Sequence, residues 1–504
     1  MNLRVGSTEL TLCTGNNQGP DRGYNFCRGK KKKIRPPRGG RRSRNEEDEE
    51  RGTLLSPTGE MEPKALRLPK RLCALLLGFC GSGYRGMQIQ PGPIPLTIEN
   101  VLFNALVKVG AVSQDNADNP TKVGLARAAR TDAGVHAAGN VVSLKMIITI
   151  PGVEDLIASI NEQLPPAIRV WGYGRVQRSF NARLNCESRK YTYFFPTYLL
   201  IPPKPGSGIH RVLMDHVAQN PDAPPTPTSD FWEHDDTGSR EEDLVRKRSW
   251  KVGQEQVQAL RNIVQQFEGT HNYHNFTAGR DSSDPSCKRH MKKIQVSDPV
   301  VYGETEWISV LFHGQSFMLH QRKMMAILVL SCRMGTPIKI VKELFGPKTV
   351  LIPKMPALGL LLEEPLFDSY NQRMAALNEK LQPTDAEFRP VIDFDIHREK
   401  INAFKEKYIY SNMREVEDRD GLFDAWIRSL DFYAGNDLLY LSPSGTIPDA
   451  AIIKKGLKRE NPFKEKRVFD STSFPDKNKL EDESDGEVED DLPTNKRDLA
   501  EMEG

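Results

Sequence analysis

Charge is sorted along this chain, and the sorting decides which residues can build a core. Residues 28–44 carry ten Lys or Arg in seventeen positions, the acidic run Glu46–Glu50 follows, and residues 481–491 hold eight acids in eleven. Blocks of like charge repel one another and bury nothing, so the ends of the chain are expected to be disordered tails. A third polar stretch, about 202–248, is rich in Pro, Asp and Glu and reads as a long loop between two folded halves. The resulting partition is a tail at 1–65, a first half at 66–200, a polar insertion at 201–248, a second half at 249–371, a helical extension at 372–465 and an acidic tail at 466–504. The basic cluster 28–44 reads as a nuclear import signal or a nucleic-acid arm, with a plain solvated tail as the bland alternative.

Composition excludes several classes. The longest apolar run, Leu72–Cys80, is far shorter than the ~20 residues of a membrane-spanning helix. The opening MNLRVGSTEL has no basic-then-apolar leader pattern, so a protein that is not secreted is expected. Seven scattered cysteines without a CxxC pair fit a reducing compartment rather than a disulfide framework.

Between the tails, two periodicities alternate. Arg71–Gly81 reads as a buried strand, Thr97 caps an apolar helical stripe stopped by Gly110, and Val123–Ala128 and Asn140–Met146 read as strands around a polar turn. A helix at Leu156–Leu164 and strands at Val170–Val176 and Arg189–Phe195 complete the first half. The second half has a helix from Val257 stopped by Gly269, strands near 291–297 and 305–312, a helix from about 320 to 333 and another opened by Thr336–Pro337. Residues 391–440 read as mostly helical and appended. The fold class is α+β, in two halves of strands interleaved with amphipathic helices.

The most informative segment is Leu125–Asn140, LARAARTDAGVHAAGN. It sets one carboxylate, Asp132, in a turn between two strands, with Arg127 and Arg130 before it and small residues all around. Small residues leave room for a bulky ligand, arginines attract an anion, and a nearby guanidinium keeps an aspartate ionised. An ionised carboxylate in a pocket can act as nucleophile or base. From the residues alone, an Asp in an ordinary tight turn remains the alternative.

The run Arg130–Ala137 resembles the catalytic motif of tRNA pseudouridine synthases of the TruA type. Gly78–Gln88, Phe180–Arg183, Arg189–Tyr193, Phe267–Thr277, Gly314–Met325 and Pro356–Glu363 resemble further elements of that family, in its order, over about 70–371. Ile401–Tyr410 resembles its eukaryotic branch. The resemblance implies mixed, largely antiparallel sheets in a pseudouridine synthase core, and isomerisation of uridine in tRNA without a cofactor. It also implies an essential aspartate at Asp132, a tyrosine lying against the target base at Tyr191 and an arginine paired with the carboxylate at Arg322. The implied targets are the anticodon stem-loop region and pre-tRNA introns, with spliceosomal U2 RNA and mRNA as further candidates. A nuclear location, import factors bound through 28–44, no membrane partner and a monomeric state complete the expectation.

One departure stands out. The family pattern has an apolar residue between Gln and Arg where Gln321 here runs directly into Arg322. A residue lost inside a helix turns all that follows by about 100°. Arg322 therefore points away from the pocket if the helix starts before Gln321, and keeps its place if the preceding loop absorbs the loss. An error in the sequence at this junction is the third reading. Phosphate contact is expected from Arg85, Arg127, Arg130, Arg183, Arg189, Lys190, Lys288, Arg289, Lys292 and Lys293. His271, His274, Cys287 and His290 have a spacing compatible with zinc, but the two histidines fall inside a family element that explains them without metal, so no metal is expected. A catalytically impaired RNA-binding or chaperone protein on the same fold, and an RNA glycosidase, are the competing functions. The glycosidase normally needs a second acid, and none lies near Asp132 in the sequence.

Overall fold

The computed structural model describes residues 68–90, 96–220, 223–233 and 239–454. The tails expected at 1–65 and 466–504, with the basic and acidic clusters, lie outside these residues.

The first half holds β1 (Lys70–Phe79), α1 (Ile98–Val109), β2 (Ala126–Arg127), β3 (His136–Ile147), α2 (Leu156–Gln163), β4 (Ile168–Arg175), α3 (Ala182–Asn185) and β5 (Ser188–Pro196). Then come α4 (Gly208–Ala218), α5 (Arg240–Ser249), α6 (Gln254–Gln265), β6 (Gly269–Asn272), β7 (Lys288–Val296), β8 (Val300–Tyr302), β9 (Thr305–Gly314), α7 (Lys323–Met334), α8 (Lys339–Leu344) and β10 (Leu360–Leu366). The extension supplies α9 (Asp368–Asn378), α10 (Arg398–Phe404), a π-helical stretch (Lys405–Tyr410), α11 (Ser411–Asp420) and α12 (Leu422–Phe432).

The expected α+β class is observed, but the two halves share one sheet, in the order β4-β1-β3-β10-β5-β9-β7-β6. Strand β10 comes last in sequence yet lies between β3 and β5, parallel to the first and antiparallel to the second. Strand β1 is apolar almost throughout because both its faces are covered. Cys73, Leu75, Leu77 and Phe79 pack with α1 and α2, while Ala74 and Leu76 enter the core that includes the extension. Helix α1 begins where Thr97 accepts the Asn100 amide and ends on left-handed Gly110, as its sequence predicts.

Three expectations are corrected. Val123–Ala128 is not one strand: Pro120 opens a 3₁₀ turn through Val123, and pairing begins only at Ala126. Gly269 does not stop the helix before it; the helix ends at Gln265 and Gly269 opens β6. The stretch 202–248 is not simply a long loop, because it folds α4 and α5 onto the core. Ser207 caps α4, and Ser239 with Glu242 forms a capping box on α5. Lys247 of α5 is buried against Asp424 of α12 at 2.7 Å.

The extension is not merely appended. A Cβ at Gly139 or Gly172 would collide with Phe394 or His397, so those strand glycines clear the sheet surface for the chain at 390–397. Helix α7 is tied to it by Arg333, which is 2% exposed. Its guanidinium donates to both carboxylate oxygens of Asp431 on α12, at 2.6 and 3.1 Å, and to the Ile201 carbonyl at 2.8 Å. Removing one partner of a buried pair strands the other charge. Asp431→Ala is therefore expected to cost about 3–5 kcal/mol, read from the midpoint of urea unfolding.

Candidate active site

The turn bearing Asp132 is fixed from several directions. At its entrance, the Ala128 amide donates to the Val141 carbonyl at 2.8 Å. Its own carbonyl accepts from Arg189 Nε and Nη2 at 3.1 and 2.7 Å. The buried amide side chain of Asn140 closes a two-way bond with Ala129, accepting its N–H at 3.2 Å and donating to its carbonyl at 3.0 Å. The loop after β1 grips the tip: Met87 N–H donates to the Thr131 carbonyl at 3.1 Å, and Gly134 N–H to the Tyr84 carbonyl at 3.3 Å. This approach requires glycine at position 86, where φ is +86° and a Cβ would sit 2.8 Å from the Thr131 carbonyl oxygen.

His136 locks the exit. It is fully buried, accepts the Gly81 N–H on Nδ1 at 3.1 Å, and donates from Nε2 to the Leu358 carbonyl at 3.1 Å. Those partners assign the tautomer. Burial pushes the imidazole down to about 4, against the smaller opposing effect of the Leu358 bond. The roles of Asn140 and His136 are absent from the sequence reading. Both lie within the Leu125–Asn140 segment, and His136 falls in the Arg130–Ala137 motif, but nothing in the sequence showed that these side chains fix the backbone on either side of Asp132.

Asp132 lines a cleft with Arg130, Arg189, Tyr191, Phe317 and Arg322. The cleft holds about 790 Å³ of empty space, its open mouth included. Tyr191 meets the Phe317 ring edge-on at 4.8 Å between centroids. Burial pushes its phenol up to about 12, and the Asp132 carboxylate adds to the rise while Arg189 opposes it. The phenol is thus neutral at physiological pH.

Arg322 lines the cleft from the loop before the helix. Helix α7 starts at Lys323, later than the expected residue 320, so Gln321 and Arg322 belong to the loop 315–322, the arrangement in which Arg322 was expected to keep its place. There His320 adopts φ +60°, alone among non-glycine residues in the described chain in having a positive φ. Histidine tolerates that region better than most residues. The turn is closed by Gln321 N–H to the Met318 carbonyl at 3.1 Å and Lys323 N–H to the His320 carbonyl at 3.0 Å. Burial, then the cations Lys354, Arg322 and Lys323, hold the His320 imidazole well below its ordinary range.

The expected phosphate contacts divide. Arg130 lines the cleft, Arg85 and Lys288 are exposed, and Arg183 is half-buried on α3. Lys293 is also exposed, while Lys292 donates to the Ser188 hydroxyl at 3.3 Å. Arg127 is instead engaged by the buried carboxylate of Glu99, its Nη2 bonding at 3.1 Å. Arg189 is 3% exposed and holds the turn. Lys190 points to the other face of β5 and pairs with Glu364 at 2.8 Å. Arg289 turns back onto the Ser286 carbonyl. These four have internal partners, and Arg189 lines the cleft as well.

The candidate zinc ligands are also occupied otherwise. His271 stacks on Phe345 at 4.3 Å, His274 bonds the Lys348 carbonyl, His290 meets Thr270, and Cys287 is buried in the apolar core. Among the described residues no group of three or more His, Cys, Asp or Glu could hold a metal ion.

A family model described as tRNA pseudouridine synthase matches residues 263–368. The chain is 40% identical over 423 residues to tRNA pseudouridine synthase 1 of Saccharomyces cerevisiae, covering 76% of this chain and 75% of that one. The chain belongs to the tRNA pseudouridine synthase family. The counterpart in Schizosaccharomyces pombe is 35% identical over 492 residues, covering 77% of this synthase and 89% of its own length. A tRNA pseudouridine(27/28) synthase of S. cerevisiae is 37% identical over 389 residues, 71% of this synthase and 98% of that protein. This synthase is therefore an isomerase.

Two outcomes follow from the geometry of the synthase. The His136 resonance in NMR should remain that of neutral imidazole down to about pH 4, whereas an unfolded chain protonates near 6.5. Between those values the unfolded state binds the extra proton, so this group's share of stability declines as pH falls from about 6.5 to about 4. At position 320, His320→Gly should keep turnover near wild type. His320→Val, strained at positive φ by about 1–2 kcal/mol, should lower kcat roughly ten-fold with KM little changed, as steady-state kinetics on tRNA would read.

Proposed function

We propose that Asp132 is the catalytic group of this enzyme, acting on a uridine swung out of tRNA into the cleft. The reaction breaks the N1–C1′ bond, turns the uracil and joins C5 to C1′. The C5 proton leaves and N1 gains one, so the product is an isomer and no redox partner is required. A carboxylate can serve as nucleophile at the sugar, as nucleophile at the base, or as base toward the 2′-proton. Each path needs it ionised and fixed beside the ribose. Arg322, which lines the same cleft, is the group that keeps it charged and oriented. Tyr191 offers the flat face of a neutral phenol to the uracil, and its hydroxyl stands ready to relay the proton lost from C5.

The observation that carries this reading is the pinned turn, with Asp132 as the single carboxylate among the described residues lining the cleft. Glycosidic hydrolysis normally employs a pair of acids, which disfavours the RNA glycosidase. The catalytically impaired alternative rested on the shortened Gln321–Arg322 spacing, and the position of Arg322 on the cleft wall favours catalysis instead.

The proposed targets are uridines of the anticodon stem-loop region and of pre-tRNA introns, with U2 spliceosomal RNA and mRNA as further substrates. A relative whose name specifies tRNA positions 27/28 supports a target in that part of the molecule. Nuclear residence through import factors bound at 28–44 accords with those substrates. A monomeric state is supported by an extension that covers one face of the sheet. Asp132→Asn should abolish pseudouridine formation in tRNA, mapped by chemical probing, while tRNA affinity stays within about three-fold of wild type. Full activity in that variant, or release of free uracil by the wild type, would remove the reading. Tyr191→Phe should retain affinity and lose turnover by roughly 10²-fold if the hydroxyl handles the proton.

A further inference from the structure

At the end of β1 farthest from the catalytic turn, several guanidinium groups gather, none of them in an ion pair among the described residues. Arg71 lies at the start of β1, in register with Met146 of β3, and Arg175 ends β4 in register with Cys73. Arg389 is brought alongside by the segment after α9. Asn378 donates to its carbonyl at 2.7 Å and accepts its amide at 3.3 Å. The next residue, Pro390, lies against Gly174, beside Arg175. The electrostatic effects of Arg175, Arg389 and Arg71 all reach the Cys73 thiol. Beside them a hollow of about 840 Å³, open to solvent, is lined by Gln177, Arg178, Ser179, Asn378 and Arg389.

The charges are unbalanced. Glu387 is the only carboxylate lining the hollow among the described residues. The Arg389 guanidinium spends Nη1 on the carbonyls of Ala386 and Phe388. Burial, followed by the repulsion of Arg175, holds its affinity for a proton below the ordinary arginine range, although Tyr370 and Glu387 oppose the shift more strongly than Arg71 adds to it. Among the described residues, Arg175 and Arg178 have no ion pair. Clustered cations that repel one another attract an anion; Arg175 and Arg389 are half-buried and less screened by water than the exposed Arg71 and Arg178. Guanidinium forks suit phosphate oxygens in particular.

We propose that Arg71, Arg175, Arg178 and Arg389 form a second phosphate-docking site, which holds the backbone of the substrate RNA on the order of 30 Å from the catalytic turn. The distance is set by β3, which starts four residues after Asp132 and runs ten more to Met146. A small stem-loop seated in the cleft does not span it, whereas an RNA with long folded arms does. The site therefore reads the size and shape of the RNA rather than its bases. This inference rests on the assignment of tRNA as substrate and of the Asp132 cleft as the catalytic site.

The test uses the full chain with the double substitution Arg175→Gln/Arg178→Gln, binding whole tRNA or a stem-loop cut from it at several salt concentrations. Whole-tRNA affinity should fall about ten-fold, and the slope of log affinity against log salt should lessen by about 1.5, for two lost phosphate contacts. Stem-loop affinity and slope should stay at wild-type values. Arg175→Lys/Arg178→Lys, which keeps the charge, should retain most of the whole-tRNA affinity. The exposed single substitution Arg178→Gln, which disturbs no packing, should lessen the slope by about 0.8. Unchanged affinity and slope for whole tRNA would overturn the proposal, as would an equal loss on both RNAs. Failure of the underlying assignment would show separately, as a wild-type enzyme that makes no pseudouridine.

Discussion

Everything at this site depends on one short turn being rigid before substrate arrives. Asp132 has few means of holding itself still, because a turn residue on small neighbours is normally mobile. Its backbone is instead anchored by Arg189 at Ala128, by Asn140 at Ala129, by the loop after β1 at Thr131 and Gly134, and by His136 at the exit. These anchors are buried, so each is worth more than its counterpart in water and each is costly to break. Organising the carboxylate in the fold transfers the entropy of orientation from the reaction to protein folding.

The same logic explains why the two halves are interlocked. The cleft is built from the turn before β3, the first half of β5, the end of β9, the loop before α7 with its first turn, and the first residue of β10. Placing β10 between β3 and β5 brings the last strand of the second half against the catalytic turn of the first. The Leu358 carbonyl that fixes the His136 tautomer is delivered by that insertion. The extension is tied to the helices of the second half through the Arg333–Asp431 and Lys247–Asp424 pairs, which join α7 and α5 to α12. Within that support, Glu417 is buried against the Tyr198 hydroxyl and the Phe423 amide, and burial raises its carboxyl to about 7.

Much of this was legible in the sequence, for identifiable reasons. Strands such as β1, β5 and β9 and helices such as α1 carry strong periodicity and caps, and their positions agree with the reading to within a few residues. Asp132, Tyr191 and Arg322 converge on one cleft as the motif order implied. Local pattern could not reveal pairing partners, so the single sheet and the place of β10 were hidden. Charge alone did not separate surface cations from structural ones: Arg127, Arg189, Lys190 and Arg289 look like phosphate contacts in sequence and have internal partners in the fold. The helices at 208–218 and 240–249 were masked by the acidic and proline-rich composition around them, although Ser239 and Glu242 form a visible capping signature. The junction at Gln321–Arg322 turned on a backbone angle at His320 that no residue count can predict.

The central claim is that the position of the carboxylate, and not only its charge, makes the reaction run. Asp132→Glu separates the two, because it keeps the negative charge and advances it by one methylene. Single-turnover pseudouridine formation on saturating tRNA should fall by about 10²-fold or more, with tRNA affinity unchanged. A rate close to that of the wild-type enzyme would contradict the account.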